Sequence, residues 1–249
     1  MQAIIRSMGI EMVAGAYLVL TVVCFWNRPV AATGLLAAGI LLWLWHYRSR
    51  ADAAAMLWAA LLGTPSEMLC VRYGVWTYEA PGLMLGVPVW IPLIWASLFC
   101  LFRRITLTIL ELADRRWPHA GAPARRILFG ALGALIVLYF IWVFFSITPS
   151  IARVYAVVML TAALFWRRER DILIFMVGGF LGTLGEFVCM QLGFWQYHYP
   201  YFKSVGMPLS LTMAWGLSAV MIGRLAMLWE AAPAAKHAGS PTGNRANIQ

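Results

Sequence analysis

GTPSEMLCVRYGVWTY, residues 63–78, recurs further along the chain as GTLGEFVCMQLGFWQY, residues 182–197. The identical positions of the two copies keep a constant spacing: Gly63, Thr64, Glu67, Cys70, Gly74, Trp76 and Tyr78 correspond to Gly182, Thr183, Glu186, Cys189, Gly193, Trp195 and Tyr197. After a one-residue insertion the match continues, with Gly86, Pro88, Trp95 and Arg104 corresponding to Gly206, Pro208, Trp215 and Arg224. Internal repeats define the architecture of a chain. We therefore interpret this one as a duplication.

The composition excludes an ordinary soluble domain. The 249 residues are 62% hydrophobic and 12% charged, whereas soluble domains carry about 25% charged residues. Mean hydropathy is +0.76. Apolar runs long enough to span a bilayer are expected at 8–26, 30–46, 52–73, 88–110, 127–145, 150–166, 171–192 and 207–229. The predicted fold is an all-α polytopic membrane protein with eight transmembrane helices, built from two parallel four-helix repeats. The expected units are 1–114, 115–230 and a disordered tail at 231–249.

The basic residues predict the orientation in the membrane. Of the 19 Lys and Arg residues, all but Arg28, Arg72, Arg153 and Lys203 fall on one side of this topology. Basic loops face the cytoplasm, so we expect a multi-pass protein of the cell inner membrane with both termini in the cytoplasm. The lipid bilayer is then its surroundings. The net charge of +9 comes from short clusters beside helices, so no nucleic-acid partner is expected.

Glu67 and Glu186 are the candidate catalytic residues. Each lies about seven residues from the outer end of an apolar helix, roughly 10 Å deep at about 1.5 Å of rise per residue. Ionisable residues at such depth indicate functional sites. Gly63, Cys70 and Gly74 share a helical stripe with Glu67, and small residues favour close packing inside a bundle. The alternative is structural, with each glutamate hydrogen-bonded to a neighbouring helix. Glu11 is expected at the membrane interface, and Asp52 and Asp171 are expected to cap helices.

Aromatic residues cluster after each glutamate. The two W-x-Y segments are expected to be extracytoplasmic loops or re-entrant caps, with Pro88 and Pro208 beginning the helices that follow. Their rings belong either to an interfacial aromatic belt or to a pocket in which ring faces stabilise a cation. On the second interpretation the substrate-binding residues are Trp76, Tyr78, Trp95, Trp195, Tyr197, His198 and Trp215. The four cysteines lack CxxC spacing, and no P-loop or dinucleotide fingerprint is present. We expect neither a metal nor a cofactor.

The motif E-x6-G-x-W-x-Y followed by GLMLGVPVWIPLIW resembles the signature of integral-membrane carotenoid biosynthesis proteins, which include bacterioruberin-type carotenoid hydratases. That family is similar in turn to membrane lycopene cyclases and meroterpenoid cyclases, whose membrane-embedded acidic residues protonate an alkene or epoxide. The matching residues are Glu67, Gly74, Tyr78, Pro88, Pro92 and Trp95 in the first copy and Glu186, Gly193, Tyr197, Pro208 and Trp215 in the second. The resemblance implies an isoprenoid substrate dissolved in the membrane.

Three functions fit these residues. The favoured one is a cofactor-independent enzyme in which a glutamate protonates a carotenoid-like polyisoprenoid, giving hydration or cyclisation. A transporter with parallel repeats and a non-catalytic membrane assembly partner are the alternatives. For the enzyme, Glu67 is expected to be the more important acid, because the family-like pattern is more complete around it.

Overall fold

The computed structural model describes residues 2–116, 132, 169–198 and 211–238. Within these ranges, six helices are long and apolar enough to cross a membrane, which confirms the helical fold expected from composition and is compatible with a multi-pass membrane protein. They are α1 (Gln2–Phe25), α2 (Pro29–Tyr47), α3 (Arg50–Arg72), α4 (Ile91–Arg116), α5 (Glu169–Gln191) and α6 (Leu211–Ala238). Four short strands accompany them: β1 (Trp76–Tyr78), β2 (Leu83–Met84), β3 (Val87–Pro88) and β4 (Trp195–Tyr197). The spans expected at 127–145 and 150–166 lie outside the described residues, apart from Leu132.

Two helix boundaries differ from the prediction. The span expected to begin at Pro88 begins at Ile91, because Val87 and Pro88 pair with β2 in a short antiparallel hairpin. The proline in the first turn of α4 is therefore Pro92, where its missing N–H leaves no intrahelical bond unmade. At the other end of the chain, α6 continues to Ala238, so the tail expected from 231 begins with helical residues. Residues 199–210, with Pro208, and 239–249 lie outside the described ranges.

The W-x-Y segments are strands rather than irregular loops. β1 pairs with β4 in antiparallel register, with Trp76 opposite Tyr197 and Tyr78 opposite Trp195. The ladder is extended by main-chain hydrogen bonds that leave the N–H of Glu79 and the N–H of His198 and reach the opposite segment at 3.0 Å. The two copies of the sequence motif are therefore joined directly through their backbones.

Small residues set the packing of the bundle. α3 packs on α4 and α6, α5 packs on α6 and α4, and α1 packs on α4 and α2. A Cβ added to Gly179 of α5 would lie 3.0 Å from the carbonyl oxygen of Thr212 in α6, so glycine allows these two helices to approach closely. Leu41 and Trp45 on α2 are 67% and 69% exposed. Such large apolar side chains on an outer face are suited to lipid rather than water.

At the ends of α3 and α5 remote from the strands, buried ion pairs replace the capping role predicted for Asp52. The N-cap of α3 is Ser49, whose hydroxyl accepts from the N–H of Asp52 at 3.2 Å. The Asp52 carboxylate is fully buried and binds Arg103 and Arg104 of α4. Asp171, its counterpart, binds Arg224 of α6. The capping prediction for Asp52 was wrong because helix position alone does not reveal a partner on another helix.

Candidate functional site

Glu67 lies on the buried face of α3, 6% exposed, and three aromatic side chains donate hydrogen bonds to it. The Tyr78 hydroxyl is 2.5 Å from Oε2, and the Trp76 indole Nε1 is 3.2 Å from the same oxygen. The Trp95 indole Nε1 donates to Oε1 at 3.2 Å. A buried carboxyl group is costly unless its oxygens are satisfied. These donors meet that requirement and hold the carboxyl group in one orientation.

A chain reversal at Gly74 brings two of the three donors to Glu67. Gly74 has φ +67°, the left-handed conformation that glycine adopts without a steric penalty. The N–H of Val75 bonds to the carbonyl of Cys70 at 2.9 Å, the pattern that terminates a helix of this kind. The chain then returns as β1. Because alternate residues of a strand share a face, Trp76 and Tyr78 both reach the carboxyl group.

The second copy builds the same arrangement around Glu186 of α5. Trp195 Nε1 donates to Oε2 at 2.8 Å, and the Tyr197 hydroxyl lies 3.0 Å from that oxygen. Gly193, with φ +75°, makes the equivalent reversal, and the Phe194 N–H bonds to the Cys189 carbonyl at 3.0 Å. Glu186 is partly buried. In the E-x6-G-x-W-x-Y motif, the glycine thus ends the helix and reverses the chain, so that the Trp and Tyr that follow reach the glutamate of the same helix.

The β1–β4 ladder brings the two copies together. Trp76 and Tyr197 meet edge to face with ring centroids 5.4 Å apart, and Tyr78 and Trp195 do so at the same separation. Each pair joins a donor to Glu67 with a donor to Glu186. Both glutamates also line the same cavity. The glutamates predicted as a catalytic pair therefore belong to one site.

Two further tryptophans approach the glutamates through glycine. A Cβ on Gly63 would lie 2.0 Å from the Trp95 ring, and a Cβ on Gly182 would lie 2.4 Å from the Trp215 ring. Each glycine precedes its glutamate by one helical turn, so the indole rests on the helix beside the carboxyl group. Trp95 and Trp215 stack on each other with centroids 5.1 Å apart. Because they have no side chain, the glycines of the predicted small-residue stripe thus leave room for a tryptophan ring against the helix.

An elongated cavity of about 600 Å³ opens beside this cluster between α1, α4 and α5. Its wall is apolar over most of its length. Six of the wall residues belong to the glutamate and aromatic cluster, while Trp90, which immediately precedes α4, and Glu11 on α1 add to the wall. The cluster members that line it are Glu67, Tyr78, Trp95, Glu186, Trp195 and Trp215. A cavity with few polar groups and convergent carboxyl groups is the usual form of a site for a small apolar molecule.

Tyr78 and Tyr197 donate hydrogen bonds from phenol groups whose pKa values are raised. Burial, and next the nearby carboxyl group of Glu67, raise the pKa of the Tyr78 phenol well above its ordinary value. Burial and the nearby Glu186 do the same for the pKa of Tyr197. Both phenols therefore remain protonated at neutral pH and can donate continuously to the glutamates.

Other predicted binding residues lie elsewhere. Trp76 and Tyr197 contact the glutamates but do not belong to the cavity wall as far as the described residues form it. His198 is exposed, as is Glu79 at the corresponding position of the first copy. The aromatic-belt interpretation of the W-x-Y rings does not account for their hydrogen bonds, since their polar atoms donate to Glu67 and Glu186.

The sequence interpretation missed Glu11 as a cavity residue. An interfacial position does not by itself reveal that Glu11 is 3% exposed and accepts a hydrogen bond from Thr108 of α4 at 2.6 Å. The available signal was an acidic residue in an apolar helix, one turn after Ser7. Repetition does not single out Glu11, because the corresponding position of the second repeat is Gly130, which has no acid.

Within the described part of the chain, no three His, Cys, Asp or Glu side chains are grouped as a metal ion requires. The chemistry available from these residues is proton transfer by carboxyl groups, hydrogen bonding by phenol and indole, and stabilisation of a cation by aromatic faces. Comparisons of the chain with protein-family models, with curated proteins and with solved structures gave no match.

Proposed function

We propose that this chain is an integral membrane enzyme that protonates a carbon–carbon double bond of a membrane-dissolved polyisoprenoid, giving hydration or cyclisation. The observation that carries the proposal is the position of Glu67 and Glu186 together at one part of an apolar cavity. An apolar wall suits a hydrocarbon chain, and among the described residues a carboxyl group is the only strong proton donor that the wall offers there. The resemblance of the motif to carotenoid hydratases and terpenoid cyclases leads to the same class of reaction.

The proposed reaction needs no group beyond the substrate and water. One glutamate transfers its proton to an alkene carbon, and the electron pair of the double bond forms the new C–H bond, leaving a carbocation. The indole faces of Trp95, Trp195 and Trp215 shelter that cation. In hydration, water adds to the cation and gives up a proton to the carboxylate, so the product gains one water. In cyclisation, the electron pair of a second double bond forms a C–C bond to the cation and leaves a new cation, a neighbouring C–H gives its proton to the carboxylate, and the mass is unchanged.

The two glutamates are proposed to have different roles. An asymmetric substrate in a duplicated site needs one proton donor and one group that orients water or receives a proton. Glu67 is the proposed donor. Three aromatic donors hold it, and its 6% exposure shields it from bulk water. Glu186 is the proposed partner that orients water.

The test is product analysis in cells that make a carotenoid precursor and express the protein. We expect a new isoprenoid, either one water heavier than its precursor or isomeric with it. Glu67→Gln keeps the size of the side chain but removes its acidic proton, and it should lower the rate by about 100-fold or more. Glu186→Gln should lower it less. Glu79→Gln is the matched control, because Glu79 follows the same motif but is exposed, and it should retain activity.

Three outcomes contradict this assignment. An unchanged isoprenoid profile with folded wild-type protein removes the enzymatic function. Full activity of both Glu67→Gln and Glu186→Gln removes the glutamates as catalysts. A larger loss for Glu186→Gln than for Glu67→Gln reverses the two roles. If the same variants stop movement of an unmodified isoprenoid across the membrane, the transporter alternative is favoured instead.

For the architecture, we propose eight spans in two parallel four-helix repeats within the inner membrane, with both termini in the cytoplasm. Equivalent ion pairs in the two repeats support it, because the pair of Asp52 with Arg104 recurs as the pair of Asp171 with Arg224. Reporter domains fused after Gln249 and inserted within 117–125 should report the cytoplasm, and one inserted within 79–82 should report the outside. An external carboxyl terminus would rule out an even number of spans with an internal amino terminus.

A further inference from the structure

A second polar group lies in the cavity, remote from the two glutamates of the proposed catalytic site. Glu11 of α1 accepts hydrogen bonds at Oε1 from the Thr108 hydroxyl at 2.6 Å and from the Ser7 hydroxyl at 3.1 Å. Among the described residues, no donor reaches its Oε2. Glu11 and Thr108 are 3% and 7% exposed, and both line the cavity. The surrounding wall consists of apolar side chains such as Met8 and Ile105.

The two polar groups lie at opposite ends of the cavity. The stripe of α4 that forms the cavity wall contains Trp95, Leu98, Leu101, Ile105 and Thr108. Trp95 contacts Glu67 and Thr108 contacts Glu11. The separation of Trp95 and Thr108 along the axis of α4 is therefore about 20 Å at about 1.5 Å of rise per residue. The wall between them is apolar, so an occupant of the whole cavity is long and apolar, with one polar end.

We propose that Ser7, Glu11 and Thr108 form a terminal subsite that binds the hydroxyl group of an elongated isoprenoid alcohol, and so determines which double bond reaches Glu67. This inference rests on the proposed function, because it defines the substrate of the same cavity. The hydroxyl of the alcohol donates to Glu11 Oε2. A hydrocarbon end cannot make that bond and leaves the carboxyl oxygen unpaired. The subsite therefore selects alcohols over hydrocarbons and acts as a ruler for their length.

The experiment measures binding to the full chain in lipid nanodiscs. The probes are the diterpenoid alcohol geranylgeraniol and the hydrocarbon of the same skeleton without the hydroxyl, and quenching of tryptophan fluorescence reports binding, since several tryptophans line the cavity. Leaving a buried hydrogen-bond acceptor unsatisfied costs about 1–3 kcal/mol, so the alcohol should bind about 5- to 150-fold more tightly than the hydrocarbon.

Two variants remove the subsite and one controls for packing. Glu11→Ala and Thr108→Val should reduce the preference for the alcohol to nearly equal binding of the two probes, while affinity for the hydrocarbon stays within about twofold of wild type. Thr106→Val is the matched control. Thr106 is buried in the same helix, but its hydroxyl bonds to the Phe102 carbonyl at 2.8 Å and does not line the cavity, so the preference should persist.

The subsite is overturned if wild type binds the two probes equally, if it binds neither, or if Glu11→Ala and Thr108→Val both keep the preference. It is also overturned if Glu67→Gln, rather than Glu11→Ala, removes the preference, because the hydroxyl would then lie at the other end. Failure of the proposed function is separate. In that case alcohol selectivity at Glu11 would remain, but either wild type would leave the isoprenoid profile unchanged, or the Glu67→Gln and Glu186→Gln variants would form product as wild type does.

Discussion

The close approach of Trp95 to Gly63 makes Gly63→Ala a direct test of how the site is assembled. The new Cβ would lie 2.0 Å from the indole ring, whereas carbon atoms in contact lie about 3.5–4.0 Å apart. The ring must therefore move by roughly 1.5–2 Å. The bond from Trp95 Nε1 to Glu67 Oε1, now 3.2 Å, would then exceed hydrogen-bonding distance, and the carboxyl group would lose its only donor on that oxygen among the described residues.

The expected cost has three parts. Loss of a hydrogen bond to a buried, ionisable group contributes about 1.5–3 kcal/mol. Overpacking against a buried ring adds about 1–3 kcal/mol. The higher helix propensity of alanine offsets about 1 kcal/mol of this. The net destabilisation of Gly63→Ala is therefore about 1.5–5 kcal/mol.

The assay is equilibrium unfolding in mixed micelles titrated with SDS, followed by tryptophan fluorescence and near-UV circular dichroism. Gly185→Ala is the control, because it also places a methyl group within a spanning helix but meets no atom within 4 Å. It should be as stable as wild type, or up to about 1 kcal/mol more stable. If Gly63→Ala also matched wild type and kept its near-UV signal, the glycine–tryptophan contact would not determine the position of Trp95.

Three other predictions concern separate parts of the molecule. Asp52→Asn removes the buried carboxylate that pairs with Arg103 and Arg104, so it should destabilise by about 3–5 kcal/mol in the SDS titration. Asp171→Asn should cost less because its partner arginine is 29% exposed, and a larger loss for Asp171→Asn would contradict this. The raised pKa of Tyr78 keeps its phenol neutral when pH passes about 10, the ordinary value. Tyr78→Phe should therefore leave the tyrosinate absorbance gained at that pH unchanged, and a decrease would show that Tyr78 ionises normally. The raised pKa of Tyr197 makes the same prediction for Tyr197→Phe.

The features that were predictable from the sequence are those that depend on local pattern. Long apolar runs predict spanning helices because each backbone polar group must be satisfied inside the bilayer. Repetition of Glu67 and its neighbours at 182–197 indicates the two candidate site carboxyl groups without any knowledge of their contacts. The glycine seven residues after each glutamate ends a helix through its left-handed conformation, which is a local property as well.

Other features depend on contacts between segments far apart in the chain. The pairing of β1 with β4 needs the ends of α3 and α5 to be neighbours, and nothing in either short segment specifies its partner. The partners of Asp52 and Glu11 were not predictable for the same reason, since they lie on α4. Hydrophobic periodicity is weak in helices that are apolar on every face, so it does not define which side of a spanning helix turns inward. Local sequence pattern therefore defines the long apolar helices and the two acidic motifs, whereas contacts between distant segments define which side chains meet the acids and where the cavity lies.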